Sequence, residues 1–167
     1  MEDQREKRTE QEKYAMGLMT PILREINIKQ DTRGYMPLVD LLCYAYAYPN
    51  VPFQEVMEIL TKRNHYVGVK WIKEAETIQE KERAKYNLYP SMRRCIVTAI
   101  ERTDQQTLSK YGLDKLTIIL GDANPEEEER IKKQILEVIG NEYEQYDTYA
   151  ERVIVFFARK ILEYLRT

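Results

Sequence analysis

Hydrophobic positions recur three and four residues apart along most of this chain, the spacing of helices that each turn one face to a core. Met19, Ile22, Leu23 and Ile26 form the first such stripe. Residues 2–26 read as helical behind a charged lead-in over 1–13, and Pro21 interrupts the pattern. The sequence favours a fresh start there, with Thr20 as N-cap and Pro21 in the first turn. The polar run KQDTRG at 29–34 reads as a loop. A second helix is predicted from about Met36 to Tyr48, with Leu38, Leu41, Leu42, Ala45 and Tyr48 inward, ended by Pro49, Asn50 and Pro52. A third runs from Phe53 to Arg63 on the stripe Phe53, Val56, Met57 and Leu60.

Two periods mix over 64–87. Val67, Val69 and Trp71 alternate with Tyr66, Gly68 and Lys70 as a short strand would, whereas Ile72, Ala75 and Ile78 keep helical spacing. This predicts a short extended piece near 65–71 and a helix from about Lys70 to Asn87. Pro90 and Ser91 predict the next boundary, with Ser91 capping a helix to about Arg102 that carries Met92, Cys95, Ile96, Ala99 and Ile100. Thr103 and Asp104 can cap a short helix, and Gly112 separates it from a segment at Leu113 to Leu120. GDANP at 121–125 is a turn, with Asn124 as N-cap and Pro125 opening a helix whose carboxylates Glu126 to Glu129 suit the positive end of its dipole. Ile131, Ile135, Val138 and Ile139 are its buried stripe, and Gly140 and Asn141 its stop.

The closing stretch differs from the rest. Val153 to Ala158 are six consecutive apolar residues, too many for one stripe, so a helix capped by Asp147 is apolar around most of its circumference and covered on several sides. The pattern as a whole predicts an all-α single domain over 1–167, six to eight helices packed around a central C-terminal helix.

Composition agrees with helices: Gly and Pro number six each in 167 residues, and 32% of residues are charged. Thirteen tyrosines against one tryptophan and three phenylalanines suggest a core margin with many polar tips, or an interface surface such as Tyr44, Tyr46 and Tyr48. Cys43 and Cys95 stand among apolar residues as in a reduced protein. With no secretory leader pattern and no run long enough to span a membrane, the expectation is a soluble, cytoplasmic chain.

Catalytic chemistry finds little support. His65 is the only histidine, Ser91 and Ser109 the only serines, and neither serine sits in a nucleophile-elbow sequence. His65, Cys43 and Cys95 share no metal-ligand spacing, and the glycines form neither a phosphate loop nor a dinucleotide fingerprint. The expectation is a non-enzyme without metal, cofactor or small-molecule substrate.

Charge carries more. From residue 62 to 94 nine bases (Lys62, Arg63, Lys70, Lys73, Lys81, Arg83, Lys85, Arg93 and Arg94) face four acids, a balance of +5, while 122–147 holds three bases and nine acids, a balance of −6. Tyr66, Trp71, Tyr86 and Tyr89 interleave with the bases, a combination that can neutralise phosphates and stack nucleobases. A solvated helix face, with Lys81, Arg83 and Lys85 balanced by neighbouring Glu, accounts for the same pattern.

The runs RGYMPLVDLL and NVPFQEVMEILTKRNHYVGVKW resemble the helix-turn-helix-strand opening of a winged-helix module, as in the lead domain of tRNA 2′-phosphotransferases. The resemblance covers about forty residues, 33–71, with the helix-turn-helix-like part over 35–72. It implies a helix-turn-helix whose second helix, Phe53 to Arg63, would read a DNA groove; the family's catalytic residues have no counterpart here. Three readings follow: a non-catalytic subunit or adaptor bound to nucleic acid or a nucleoprotein assembly through 62–94, a protein-protein interaction module or homodimer joined by the Tyr-rich surface or the first helix, and a winged-helix DNA-binding regulator.

Overall fold

The computed structural model describes residues 9–63, 66–67, 70–71, 78–119 and 128–167, with side chains over 9–59, 88–117 and 129–167. Its elements in chain order are α1 (Glu10–Glu25), α2 (Tyr35–Ala47), α3 (Phe53–Arg63), β1 (Tyr66–Val67), β2 (Lys70–Trp71), α4 (Ile78–Glu101), α5 (Gln105–Lys110), α6 (Glu128–Ile139) and α7 (Tyr149–Arg166). Short 3₁₀ segments stand at Asp114–Ile119 and Asn141–Tyr143. The expected helical bundle is the fold observed. The two strands form one antiparallel hairpin, Tyr66 opposite Trp71 and Val67 opposite Lys70, where an extended piece is expected. The GDANP turn with its Asn124 cap, and the lead-in before Thr9, lie outside the described residues.

Val153 to Ala158 are all buried, with Ile154, Val155, Phe157 and Ala158 wholly inaccessible, so α7 is the central element its six apolar residues predict. It packs on α2, α4 and α6. A second helix is covered nearly all round: α2 buries Tyr35, Pro37, Leu38, Val39, Leu41, Leu42, Cys43 and Ala45 among α1, α3, α4 and α7. The core thus has two axes rather than one.

Both prolines expected to mark helix boundaries lie inside helices instead. α1 runs unbroken through Pro21, and its N-cap is Thr9, whose hydroxyl accepts from the Glu12 amide at 3.2 Å. Thr20 caps nothing; its hydroxyl donates back to the Met16 carbonyl at 2.7 Å. Pro21 cannot serve the Gly17 carbonyl, but both residues face solvent, so water can take that acceptor and the interruption costs less than in a buried turn. α4 likewise passes through Pro90 without the Ser91 boundary. Its buried side, Leu88, Tyr89, Met92, Cys95, Ile96 and Ala99, continues across that point, and burial of a continuous stripe outweighs the missing bond.

Other expectations hold with small shifts. Asp104 caps α5, accepting from the Thr107 amide at 2.8 Å. α7 is capped by Thr148 and not by Asp147: the Thr148 hydroxyl accepts from the Glu151 amide at 3.1 Å and donates to the Glu151 carboxylate at 3.2 Å. A hydroxyl one residue nearer the first turn reaches that amide, and Asp147 is left exposed. At the start of α2, Gly34 lies directly on α4. A Cβ there would stand 2.8 Å from Met92 Cα and nearer still to the Ser91 carbonyl, so only glycine lets the two backbones meet.

Candidate nucleic-acid interface

The basic section distributes over three consecutive elements. Lys62 and Arg63 end α3, Lys70 and Trp71 make up β2, and Lys81, Arg83, Lys85 and Tyr86 fall in the first half of α4, with Arg93 and Arg94 in its second half. Lys73 lies outside the described residues, as does His65. α3 and β1 both contact α4, so the chain folds these three elements into one neighbourhood. Of the acidic section, α6 packs on α7 and on the 3₁₀ segment Asp114–Ile119, both of which also contact α4.

Helix periodicity divides the α4 bases between opposite faces. At 3.6 residues per turn, positions 81 and 85 share the line that continues through Leu88, Met92 and Ala99, which are buried further along. Positions 83 and 94, eleven residues or close to three turns apart, share the opposite line. Arg94 is exposed there, its guanidinium 3.4 Å from the Ser91 hydroxyl.

Arg93 is buried, only 4% accessible, and its guanidinium lies over the Tyr149 ring at 5.1 Å from the centroid. It ties α4 to the first turn of α7, and so takes no part in a solvent-facing patch. A cation stacked on an aromatic in a dry setting contributes on the order of 2 kcal/mol. Tyr149 is 56 positions away in the chain, so no local pattern announces the pair. Tyr89, one of the interleaved aromatics, is also buried in the core.

The structure reveals a second set of cations that charge counting passes over. Arg152, Arg159 and Arg166 stand seven residues apart on α7, two turns each, and therefore on one line. Arg152, 7% accessible, donates to three backbone carbonyls: Tyr146 at 2.9 Å, Lys132 at 3.0 Å and Glu144 at 3.4 Å. Arg159 lies 4.9 Å from the Tyr143 ring centroid and 5.7 Å from that of Phe53. Burial works against its charge, but Tyr143 and the neighbouring anionic groups outweigh that and hold its pKa above the usual guanidinium value. Arg166 donates to the Ala45 carbonyl at 3.3 Å, at the C-terminal end of α2, and covers Tyr46. These arginines lace α7 to α6, α3 and α2, and the signal that finds them is the seven-residue spacing.

At the far end of α1, the Tyr111 hydroxyl donates to the Glu25 carboxylate at 2.5 Å and Lys110 approaches it at 3.2 Å. The Tyr111 bond first, then Lys110, holds the Glu25 carboxyl below the ordinary carboxylate range. Burial pushes the Cys95 thiol up, against the Thr32 hydroxyl 3.2 Å away. Among the described residues no group of three His, Cys, Asp or Glu is placed to hold a metal, and no helix is long and apolar enough to cross a membrane. Comparison with protein-family models, with curated proteins and with solved structures finds no match.

Proposed function

We propose that this chain is a non-catalytic helical subunit or adaptor that associates with nucleic acid through the section from Lys62 to Arg94. The supporting observation is the segregation of charge, +5 over 62–94 against −6 over 122–147 in a chain of net charge −2, with the basic section in the contiguous unit α3, hairpin and α4. A local excess of cations attracts a polyanion even when the whole chain is slightly acidic. The candidate contacts are Lys62, Arg63, Lys70, Lys73, Lys81, Arg83, Lys85 and Arg94, with Trp71 and Tyr86 as stacking partners; on α4 they stand on two opposite lines, 81 with 85 and 83 with 94, so a strand that engages all of them passes around the helix rather than along one face. Arg93, stacked on Tyr149, drops out.

A winged-helix regulator is the second reading, favoured by one observation: α2, α3 and the β1–β2 hairpin follow in the helix–turn–helix–hairpin order of such modules. The exposed Glu55 and Glu58 on α3 speak against groove reading by that helix, since phosphates repel them. Titration with single- and double-stranded DNA and RNA distinguishes the readings. The adaptor reading expects binding that Lys81→Glu, Lys85→Glu and Arg94→Glu each weaken regardless of sequence; the regulator reading expects preference for particular duplex DNA sequences. Absence of binding to every nucleic acid at low salt rejects both.

A further inference from the structure

We propose that the outer face of α1 pairs, antiparallel, with the same face of a second copy of this chain. Glu10, Gly17 and Arg24 are spaced by seven residues, two helical turns, and so form one line along α1. Tyr14 and Pro21, also seven apart, flank it. All five are exposed, on the side away from Ala15, Met19, Ile22 and Leu23, the face packed on α2. Tyr14, at 63%, is the most exposed large hydrophobic side chain among the described residues, and Gly17 has nothing within 4 Å of where a Cβ would stand. A glycine at the centre of an exposed face lets a second helix axis approach to about 8 Å, the close end of helix packing.

Charge complementarity identifies the occupant. Glu10 and Arg24 lie equally far from Gly17 on opposite sides. With Gly17 of each copy on the two-fold axis, each Glu10 falls opposite the partner's Arg24, and each Tyr14 falls beside the partner's Thr20 and Pro21. The same patch serves both subunits, as a two-fold interface requires. A parallel pairing would set Glu10 against Glu10 and Arg24 against Arg24, so electrostatics selects the antiparallel arrangement. Among the described residues the Glu10 side chain, 92% exposed, pairs with an exposed Lys13 at 3.5 Å, a surface pair weak enough to yield. A single pair of helices covers less than the roughly 1,200 Å² of stable complexes, so the dimer is weak and concentration-dependent. The pairing is independent of the nucleic-acid reading, because α1 lies outside 62–94.

Sedimentation equilibrium on the full chain across a wide concentration range, at low salt, tests it. A monomer–dimer equilibrium is expected, weakened about tenfold or more by Glu10→Arg and by Arg24→Glu separately. An equimolar mixture of those two variants should associate about as well as the wild type, because each line then carries a single sign, opposite to that of its partner. Gly17→Cys, oxidised with glutathione disulfide, should give a covalent dimer, since the two new thiols meet on the axis while Cys43 and Cys95 are buried. Circular dichroism confirms that each variant keeps its helices. A monomer at every concentration overturns the proposal, and so does a dimer that ignores the charge reversals and leaves Gly17→Cys uncrosslinked.

Discussion

Glu25, Arg93 and Gly34 show how differently single residues act in this chain. Glu25 accepts from Tyr111 and Lys110, and its carboxyl is held below the ordinary range. A depressed folded-state value means that its stabilisation is fully present above the unfolded carboxylate value and is lost as pH falls through the folded one. Glu25→Gln should therefore flatten the acid limb of a stability–pH curve while leaving neutral-pH denaturation curves nearly parallel to the wild type. An unchanged acid limb in urea titrations between neutral pH and pH ~3 would show that the Tyr111 bond does not bias the carboxyl. Arg93 illustrates the limit of charge counting, because a formal cation can spend its charge on a ring inside the fold. Gly34 answers to sterics alone. Gly34→Ala should destabilise by about 1–3 kcal/mol, toward the upper end, because the groups it meets are α4 backbone and cannot swing away. A loss below about 0.5 kcal/mol, the scale of an ordinary surface change, would mean that α2 and α4 can separate at no cost.

At the scale of elements, the helix stripes and the caps at Asp104 and Gly140 were legible, and the boundaries at the prolines were not. Leu38, Leu41 and Leu42 on α2, Met92, Cys95 and Ile96 on α4, and Val153 to Ala158 on α7 are buried where their spacing places them, since burial of apolar side chains dominates helix packing. Pro21 and Pro90 misled because proline's penalty is a local quantity, on the order of 3 kcal/mol, which a long buried face can outweigh. The coverage of α2 on nearly every side has no signature in its stripe, because Tyr35 and Pro37 are residue types common at the surface. If α7 is the main axis, Phe157→Ala should cost about 3–5 kcal/mol in a denaturant titration, the loss expected of an aromatic taken from a packed core. A change below about 1 kcal/mol would place that helix at the margin.

For the whole molecule, two charge patterns stand apart: a basic section on α3, the hairpin and α4, and a self-complementary line on α1. The first was visible in the sequence as a block, yet its three-dimensional grouping was not, because helix period sets positions 81 and 85 on one line of α4 and 83 and 94 on another. The arginine line on α7 is written in the sequence as a seven-residue spacing, whereas its contacts, and the exposure of the Glu10–Gly17–Arg24 line on α1, emerge only from the packing. The salt dependence of single-stranded RNA binding tests the central claim most directly. If cations of the 62–94 section neutralise phosphates, the logarithm of the association constant falls linearly with the logarithm of salt, losing about 0.7 in slope for each contact removed. Lys81→Glu with Lys85→Glu should therefore make the slope shallower than the wild type's by more than one, whereas a wild-type affinity that does not vary with salt, or a slope that those substitutions leave unchanged, would contradict the account.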